Sequence, residues 1–215
     1  EATLMMWPNN RAVYDDAGFL AQTQDTIAEL ANLIAGFEPV ILLAGAEHHA
    51  RIRRRVSSAV ILWDIPTEDL WARDAGPLFA VQGGQRVISH IQFDGWGGKQ
   101  VHRHDARVAE RVAARLGVPL VPSGLRGEAG GVERDGHGLL AAHESSWVEA
   151  VRNPGLSRDQ IEARLLTAYG AERLIWTPGL QGQDITDYHI DSLARFTGPG
   201  QVLVNMPRHA DPGDP

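Results

Sequence analysis

The sequence of 215 residues predicts an α/β fold. Three segments share one order of elements, namely an amphipathic helix, a glycine at the helix end and a short apolar strand. Strands that alternate with helices in this way are typical of layered α/β architectures. The recurring order also indicates modules that stack about a common centre, although the uneven spacing of the copies excludes a short solenoid repeat.

The chain begins with an apolar segment, residues 1–8, that is typical of a strand. In the first helical copy, residues at helical spacing predict one buried face of a helix. This face consists of Phe19, Leu20, Thr23, Ile27, Leu30, Leu33 and Ile34. Gly36 is predicted to end the helix, and residues 40–43 are predicted to form the strand that follows.

The second copy has a helical face that runs from Ala106 to Leu116. Gly117 is predicted to end this helix, and residues 118–121 are predicted to form the strand. Glycine is typical of this position because it adopts the left-handed backbone conformation of a helix C-terminus without a steric cost.

The third copy begins at Ser157, whose hydroxyl is predicted to cap a helix that continues to Tyr169. Gly170 is predicted to end this helix, and residues 173–176 form its strand. Between the helices, apolar segments bounded by turn-forming residues predict further strands. These strands are residues 59–63, 77–81, 86–93, 138–142 and 201–204.

The composition excludes several classes of protein. The chain has no cysteine, so these residues contain no disulfide, thiolate metal site or thiol nucleophile. The formal net charge of −7 argues against a nucleic-acid partner, and the short basic cluster at residues 51–55 is typical of a solvated helix face. No apolar run is long enough to span a membrane and no leader resembles a signal peptide, so a cytoplasmic location is expected.

Both ends of the sequence indicate that it continues. The first residues lie within a strand without an initiator methionine, and residues 206–215 form a turn-rich stretch after an apolar run. No low-complexity linker divides the chain. We therefore expect a single, incomplete domain spanning residues 1–215. The sequence does not decide the oligomeric state, and a homo-oligomer stays open.

The first candidate site is the segment 67–77, which contains three acids, one arginine and Trp71. It follows a predicted strand and ends in a Gly-Pro turn. One interpretation is a charged surface loop with an internal ion pair. The other is a cation site, because an acid such as Asp74 beside an aromatic ring can hold a guanidinium or an ammonium group.

The second candidate site is the segment 184–191. If this segment is extended, His189 and Asp191 face the same side, because side chains two residues apart on a strand share a face. Such a pair suits acid/base catalysis, and together with Asp184 and Asp187 it also suits a divalent metal ion. The simplest alternative is a histidine that only satisfies a hydrogen bond to a neighbouring aspartate.

The third candidate site is the glycine-rich segment 127–136, in which Glu128 precedes the glycine pair. Paired glycines allow the backbone to approach a ligand closely, but an Asp-Gly pair is also typical of a β-hairpin. The similar segment 95–99 lacks the spacing of a phosphate-binding loop and is weak support for nucleotide binding.

Five motifs in this order resemble those of the agmatine deiminase family, which includes the Porphyromonas-type peptidylarginine deiminases. They are Trp71-x-Arg73-Asp74-x-Gly76-Pro77, Trp96-Gly-Gly-Lys99, Glu128-x-Gly-Gly, Arg152-Asn153-Pro154-Gly-Leu-Ser157 and Asp187-x-His189-x-Asp191. The resemblance extends from Trp7 to about Val204. It implies the pentein fold, a propeller of five αβ modules, of which this chain would cover about three.

The resemblance also implies roles for individual residues. Asp74 and Asp191 are similar to the carboxylates that bind the guanidinium nitrogens, and Trp71 to an aromatic residue that lines the pocket. His189 is similar to the general acid/base, and Glu128 to the acid that supports it. The family's cysteine nucleophile, in a motif near the C-terminus, has no match in these residues.

The resemblance therefore implies an agmatine deiminase that needs no metal or cofactor. It would convert agmatine, a small guanidinium cation, and water to N-carbamoylputrescine and ammonia in putrescine synthesis, with its cysteine outside this chain. Three alternatives stay open. They are a deiminase of free or peptidyl arginine, a guanidinium-binding relative without activity, and a metallohydrolase that uses the acids around His189.

Overall fold

The computed structural model describes residues 1–206. Most of the turn-rich stretch predicted at residues 206–215 therefore lies outside the described residues. The chain divides into two compact units. The first unit comprises Glu1–Pro77 and Gln100–Gly117, and the second comprises Leu78–Lys99 and the described chain from Val118 onwards. The single domain spanning residues 1–215 stays a prediction.

The structure contains strands and helices throughout the described residues, and this confirms the predicted α/β class. The strands are β1 Thr3–Met6, β2 Val40–Ala44, β3 Val60–Asp64, β4 Leu78–Gln82, β5 Gln85–Gln92, β6 Leu120–Arg126, β7 Val132–Arg134, β8 Leu139–His143, β9 Arg173–Thr177, β10 Ala194–Gly198 and β11 Gln201–Val204. The helical segments are α1 Ala17–Ile34, α2 Ala46–Ile52, α3 Ala72–Ala75, α4 Gly95–Gly98, α5 Val108–Leu116, α6 Glu144–Trp147 and α7 Arg158–Tyr169. Short 3-10 turns lie at Asp105–Arg107, Ala129–Gly131 and Ile190–Ser192.

The first unit contains a parallel three-stranded sheet in the order β1-β2-β3. Strand β2, at its centre, is an almost continuous apolar run, as is typical of a strand covered on both faces. The sheet and helix α1 share a hydrophobic cluster that includes Trp7, Ile27, Leu42 and Val60. This cluster is the core of the first unit.

The predicted buried face of α1 is partly wrong. Phe19, Leu30 and Leu33 are exposed, with Leu33 at 63%. The buried face instead contains Gln24, because its side-chain amide donates to the carbonyl of Pro8 and its oxygen accepts from Arg51. A polar side chain with both groups satisfied can occupy a buried position that the apolar pattern assigns to another residue.

The second unit contains two three-stranded sheets of the same design. In each sheet an antiparallel pair, β4-β5 or β7-β8, is extended by a parallel strand, β6 or β9. The antiparallel pair β10-β11 forms a separate two-stranded sheet. Helix α7 packs on the core of this unit, which includes Leu125, Leu140, Trp147, Ile161 and Leu165.

Two of the three predicted glycine stops are confirmed. Gly117 and Gly170 adopt the left-handed conformation at the ends of α5 and α7. Helix α1 ends at Ile34 with Ala35 as its C-cap, one residue before the predicted Gly36. Ser157 caps α7 in a complete capping box with Gln160, which confirms the predicted start of that helix.

Two predicted boundaries in the second copy shift. Ala106 lies in the 3-10 turn before α5, and the strand that follows is β6, Leu120–Arg126, where residues 118–121 were expected. Among residues 1–206, no helix has the length and apolar character needed to cross a membrane.

Candidate functional site

A buried carboxylate–imidazole pair lies in the second unit. The Oε2 atom of Glu128 lies 3.1 Å from Nε2 of His189, and the two residues are 1% and 4% exposed. Glu128 follows β6 at the start of the 3-10 turn Ala129–Gly131, and His189 directly precedes the turn Ile190–Ser192. Tertiary packing therefore joins two residues that are 61 positions apart in the sequence.

Glycine is required beside Glu128 by close packing. A Cβ atom on Gly127 would lie 2.6 Å from the ring of Trp147, which is fully buried, and Gly127 has a φ of 152°. The indole nitrogen of Trp147 donates to the carbonyl of Gly131, 2.8 Å away. The backbone on both sides of Glu128 is thus held against Trp147, and this fixes the position of the carboxylate.

The second oxygen of Glu128 accepts a hydrogen bond from Arg152. The Arg152 Nε atom lies 3.2 Å from Glu128 Oε1, and the arginine side chain is fully buried. Its other nitrogens donate to Glu149 at 2.8 Å, to Asp187 at 2.6 Å and to the carbonyl of Thr186 at 3.0 Å. Burial would lower the pKa of Arg152, but the charges of Glu128 and Asp187 raise it, so the guanidinium stays charged.

Asp187 is the second anion bound by Arg152. It is 1% exposed, and its Oδ2 atom also accepts from Lys99 Nζ at 2.6 Å. Burial alone would raise the pKa of Asp187, but hydrogen bonds from Lys99, Arg152 and the amide of Gly182 lower it below its ordinary value. Asp187 is therefore a buried, ionised carboxylate.

The loop that carries His189 is held by several hydrogen bonds. The backbone amide of His189 donates to the hydroxyl of Thr186 at 3.0 Å, and Asp184 accepts from the amides of Thr186 and Tyr188. Asp187 and Tyr188 have φ angles of 61° and 68°, a left-handed conformation that side chains rarely adopt. The loop keeps this conformation because the surrounding bonds stabilise it.

A second histidine lies near His189. Burial, and next the charge of His189, lower the pKa of His143 below its ordinary value. Its Nδ1 atom lies 3.1 Å from the hydroxyl of Thr177, and its ring centroid lies 5.3 Å from that of Tyr188. His143 is therefore a neutral neighbour of His189 at ordinary pH.

Asp191 does not share an extended strand with His189. It lies in the 3-10 turn Ile190–Ser192, so the expectation of two side chains on one strand face is wrong. The chain turns here because the hydroxyl of Ser192 donates to the carbonyl of His189 at 2.8 Å. Asp191 is half-buried, and within residues 1–206 its carboxylate has no hydrogen bond or ion pair.

The other predicted site residues lie in the first unit. Asp74 is buried in α3, and Trp71 directly precedes that helix with 51% of its surface exposed. The structure thus joins His189 and Glu128 directly, and it places Asp74 and Trp71 together on a separate segment.

The interpretation of residues 67–77 as a charged surface loop is wrong for Glu68 and Asp69, the first two acids of the segment. Glu68 and Asp69 are buried, and Glu68 accepts from the backbone amide of Asp105. Asp105 in turn accepts from the backbone amides of Glu68 and Asp69, at 2.8 and 3.0 Å. These carboxylates therefore stabilise the local fold through bonds to the backbone.

The described residues contain no group of three or more histidine and acidic side chains that could hold a metal ion. Of the acids considered for a metal site, Asp184 accepts from Thr186 and Asp187 binds Lys99 and Arg152. Both oxygens of Asp187 and one oxygen of Asp184 are thus already hydrogen-bonded, and the described residues bring together no set of ligands for the metallohydrolase alternative.

Sequence reasoning assigned no site role to Arg152 or Lys99. Both belong to the motifs that carry the family resemblance, and this was the available signal. Lys99 follows α4, where Trp96 and Gly97 have left-handed backbone angles and the side chain of Asp94 accepts from the amide of Gly97. This tight turn directs the chain so that Lys99 reaches Asp187.

Comparisons with known proteins agree with these motifs. A family model described as Porphyromonas-type peptidyl-arginine deiminase matches residues 1–215. A Streptomyces coelicolor protein named "Putative agmatine deiminase" is 34% identical, with 98% of this chain and 65% of that protein covered. A Selenomonas ruminantium protein of the same name is 33% identical, with 94% and 57% covered.

Solved structures share the fold. A Porphyromonas gingivalis structure described as a "Putative Arginine Deiminase" is 30% identical with a TM-score of 0.80, and 92% of this chain and 60% of that one are covered. The agmatine deiminase of Enterococcus faecalis has a TM-score of 0.88 at 24% identity, over 98% of this chain and 59% of that one. The chain spans less than two thirds of the length of these relatives. It belongs to the Porphyromonas-type peptidyl-arginine deiminase family.

Proposed function

We propose that the complete protein containing this chain is an agmatine deiminase. It would convert agmatine and water to N-carbamoylputrescine and ammonia, with a cysteine nucleophile outside these 215 residues. The names of the relatives support this proposal. The observation that carries it is the buried pair of Glu128 and His189, 3.1 Å apart, which suits a proton-transfer catalyst.

The proposal includes the five-module propeller. The two sheets of the second unit repeat one design, an antiparallel pair extended by a parallel strand, and this repetition supports a modular architecture. The β10-β11 pair is the antiparallel part of that design. About three modules within this chain agree with a protein whose relatives are longer.

His189 would be the general acid and base. A carboxylate has no proton to donate, so Glu128 orients the imidazole by accepting from Nε2–H, and Nδ1 is then the nitrogen that exchanges a proton with the substrate. Because the pair is buried, the interaction is stronger than it would be in water. Glu128 would also stabilise the imidazolium form that appears during each proton transfer.

The proposed reaction has two stages. The thiolate adds to the guanidinium carbon, His189 donates a proton to the leaving nitrogen, and ammonia departs as the carbon–nitrogen bond breaks. His189 then accepts a proton from water, which adds to the same carbon. The carbon–sulfur bond breaks, and this releases the ureido product and regenerates the thiolate.

In the second unit, Asp191 would bind the guanidinium, because a carboxylate accepts hydrogen bonds from its nitrogens. Asp191 suits this role because its carboxylate makes no hydrogen bond or ion pair within the described residues. In the first unit, Asp74 and the exposed ring of Trp71 are the residue types that the resemblance implies for binding a guanidinium, by an ionic hydrogen bond and by a cation–π contact.

The ion pairs of the cationic side chains near His189 favour agmatine over free or peptidyl arginine as the substrate. Free arginine has a carboxylate and peptidyl arginine has peptide groups. Either would need a hydrogen-bond donor in the site. Arg152 and Lys99, the cations linked to the His189 cluster, are already bound to Glu128, Glu149 and Asp187. Deimination of arginine is the second candidate, and a donor from the remaining part of the protein would support it.

The test is an assay of the complete gene product for ammonia release from agmatine, arginine and an arginine-containing peptide. We expect turnover of agmatine, and loss of about 100-fold or more of this activity in His189→Asn, because general acid/base catalysis contributes at least that factor. Arg158→Gln, which alters an exposed ion pair, is the control. Turnover of arginine in preference to agmatine would support the second candidate, and calorimetric binding of agmatine without turnover would identify a binding protein.

A further inference from the structure

We propose that Arg152 and Asp187 are positioning residues for His189. They connect the loop that carries the imidazole to the carboxylate that orients it. The contacts form one series, from Lys99 to Asp187, Arg152, Glu128 and His189. This inference rests on the proposed function, because the role of Arg152 matters only if His189 transfers protons.

Arg152 uses its whole guanidinium for this purpose. Its three nitrogens donate to three carboxylates and to the carbonyl of Thr186, and its side chain is fully buried. The planar arrangement of these donors holds the carboxylates of Glu128 and Asp187 at fixed positions relative to each other. A lysine retains the charge at this position but has one nitrogen, so it cannot make the same set of bonds.

Asp187 ties the loop to the rest of the second unit. Its two side-chain oxygens accept from Arg152, Lys99 and the amide of Gly182, and its carbonyl accepts from the hydroxyl of Ser145 at 2.6 Å. Asp187 itself has a left-handed φ of 61°. Such a conformation persists where several bonds define it, so these contacts determine the path of the chain into His189.

The consequence is geometric. Arg152 holds Oε1 of Glu128, which leaves Oε2 for the imidazole, and Asp187 holds the backbone two residues before His189. Loss of Arg152 therefore removes one hydrogen bond from Glu128 and one from Asp187, and so loosens both partners of the pair at once. Because Arg152 acts through Glu128, its loss lowers kcat and has little effect on KM.

The charges around His189 predict a second effect. Glu128 and Asp184 face the imidazole with negative charge, and His143 faces it from β8 as a neutral ring. Without the Arg152 charge, the negative charge of Glu128 loses its cationic partner, whereas Asp187 keeps Lys99. The imidazolium then becomes more stable, and His189 titrates at a higher pH than in the parent protein.

The experiment compares Arg152→Gln, Arg152→Lys and the control Arg158→Gln in the complete gene product. The measurements are kcat and KM for agmatine, and the titration of His189 by NMR of histidine-labelled protein. In Arg152→Gln we expect kcat to fall about 100-fold with a small change in KM, and the midpoint of His189 to rise by about one pH unit. In Arg152→Lys we expect a midpoint near that of the parent but a kcat at least about 10-fold lower.

Three results would overturn the inference. The first is a folded Arg152→Gln protein with the parent kcat and midpoint. The second is a rise in KM at constant kcat, which would place Arg152 in substrate binding. The third is full activity of Arg152→Lys. This result decides the question if Arg152→Gln does not fold. If the parent protein does not turn over agmatine but the titration midpoint of His189 still rises in Arg152→Gln, the proposed function is contradicted and the electrostatic link between Arg152 and His189 is retained.

Discussion

At the scale of single residues, Glu128 is shared between two donors. One oxygen binds the imidazole of His189 and the other binds the guanidinium of Arg152, and all three side chains are buried. A buried ion pair contributes little net stability, because removal of its charges from water offsets their attraction. The arrangement therefore suits orientation of the histidine more than stability of the fold.

Replacement of Glu128 by glutamine tests this orientation. Glutamine has one acceptor oxygen, so it cannot accept from both Arg152 and His189. We expect Glu128→Gln to lower kcat for agmatine by about 100-fold or more, since the imidazole loses its orienting carboxylate. Glu144→Gln, which removes an exposed partner of Arg158, is a matched control and should retain the parent activity. Equal activity of the two variants would contradict the role of Glu128.

At the scale of elements, local signals located the helices well where capping determines their ends. The capping box of Ser157 and the left-handed Gly117 and Gly170 depend on residues next to the helix ends, so the sequence contains the whole signal. The buried face of α1 depends instead on the hydrogen-bond partners of Gln24, which are the carbonyl of Pro8 and the guanidinium of Arg51. Apolar spacing carries no information on such partners.

The contact between residues 68–69 and the turn at Asp105 predicts a pH dependence of stability. Burial raises the pKa of Asp105, two backbone hydrogen bonds lower it and the nearby charges of Glu68 and Asp69 raise it, so that the pKa rises from 3.8 to about 7. The folded protein then binds a proton that the unfolded chain has lost. The contribution of Asp105 to stability is therefore greatest below about pH 4 and falls as the pH rises to about 7.

This dependence can be measured as the difference between the parent protein and Asp105→Asn, which has no titrating group at this position. We expect the free energy of unfolding of the parent, relative to the variant, to fall by up to about 1.4 kcal/mol per pH unit between pH 4 and 7. Urea unfolding at several pH values provides the measurement. A difference that stays constant over this range would show that Asp105 titrates in the same way in both states.

At the scale of the whole molecule, the described chain forms two compact units, each with its own hydrophobic cluster. Trp7 and Leu42 lie in the cluster of the first unit, and Trp147 and Leu165 lie in that of the second. The proposed acid/base pair lies in the second unit, whereas Asp74 and Trp71 lie in the first.

The core of the second unit predicts a large effect of Leu165→Ala. Leu165 on α7 is fully buried against this cluster, so its truncation leaves a cavity and should lower the free energy of unfolding by about 2–5 kcal/mol. Leu33→Ala on α1 is the matched control, because Leu33 is 63% exposed and its truncation should change stability by less than about 0.5 kcal/mol. Urea denaturation measures both variants, and equal effects would contradict the described core.

The sequence proposes residues for the candidate site, and the structure describes the contacts that they make. His189 and Glu128 were identified from the motifs, and their contact agrees with the role that the resemblance implies. The extended conformation under which His189 and Asp191 would share a strand face is not found, because the hydroxyl of Ser192 donates to the carbonyl of His189 and the chain turns. The importance of Asp187 as an anchor depends on Lys99 and Arg152, which are 88 and 35 positions away.

The sequence by itself determined the α/β class, the C-terminal ends of α5 and α7, the family and the residue types of the proposed chemistry. These features depend on neighbouring residues or on motifs that can be read along the chain. Only the tertiary structure decided that Arg152 connects Glu128 to Asp187, and that Glu68 and Asp69 are buried beside Asp105. Contacts between residues far apart in the sequence form only when strands and loops pack, and local patterns do not specify those partners.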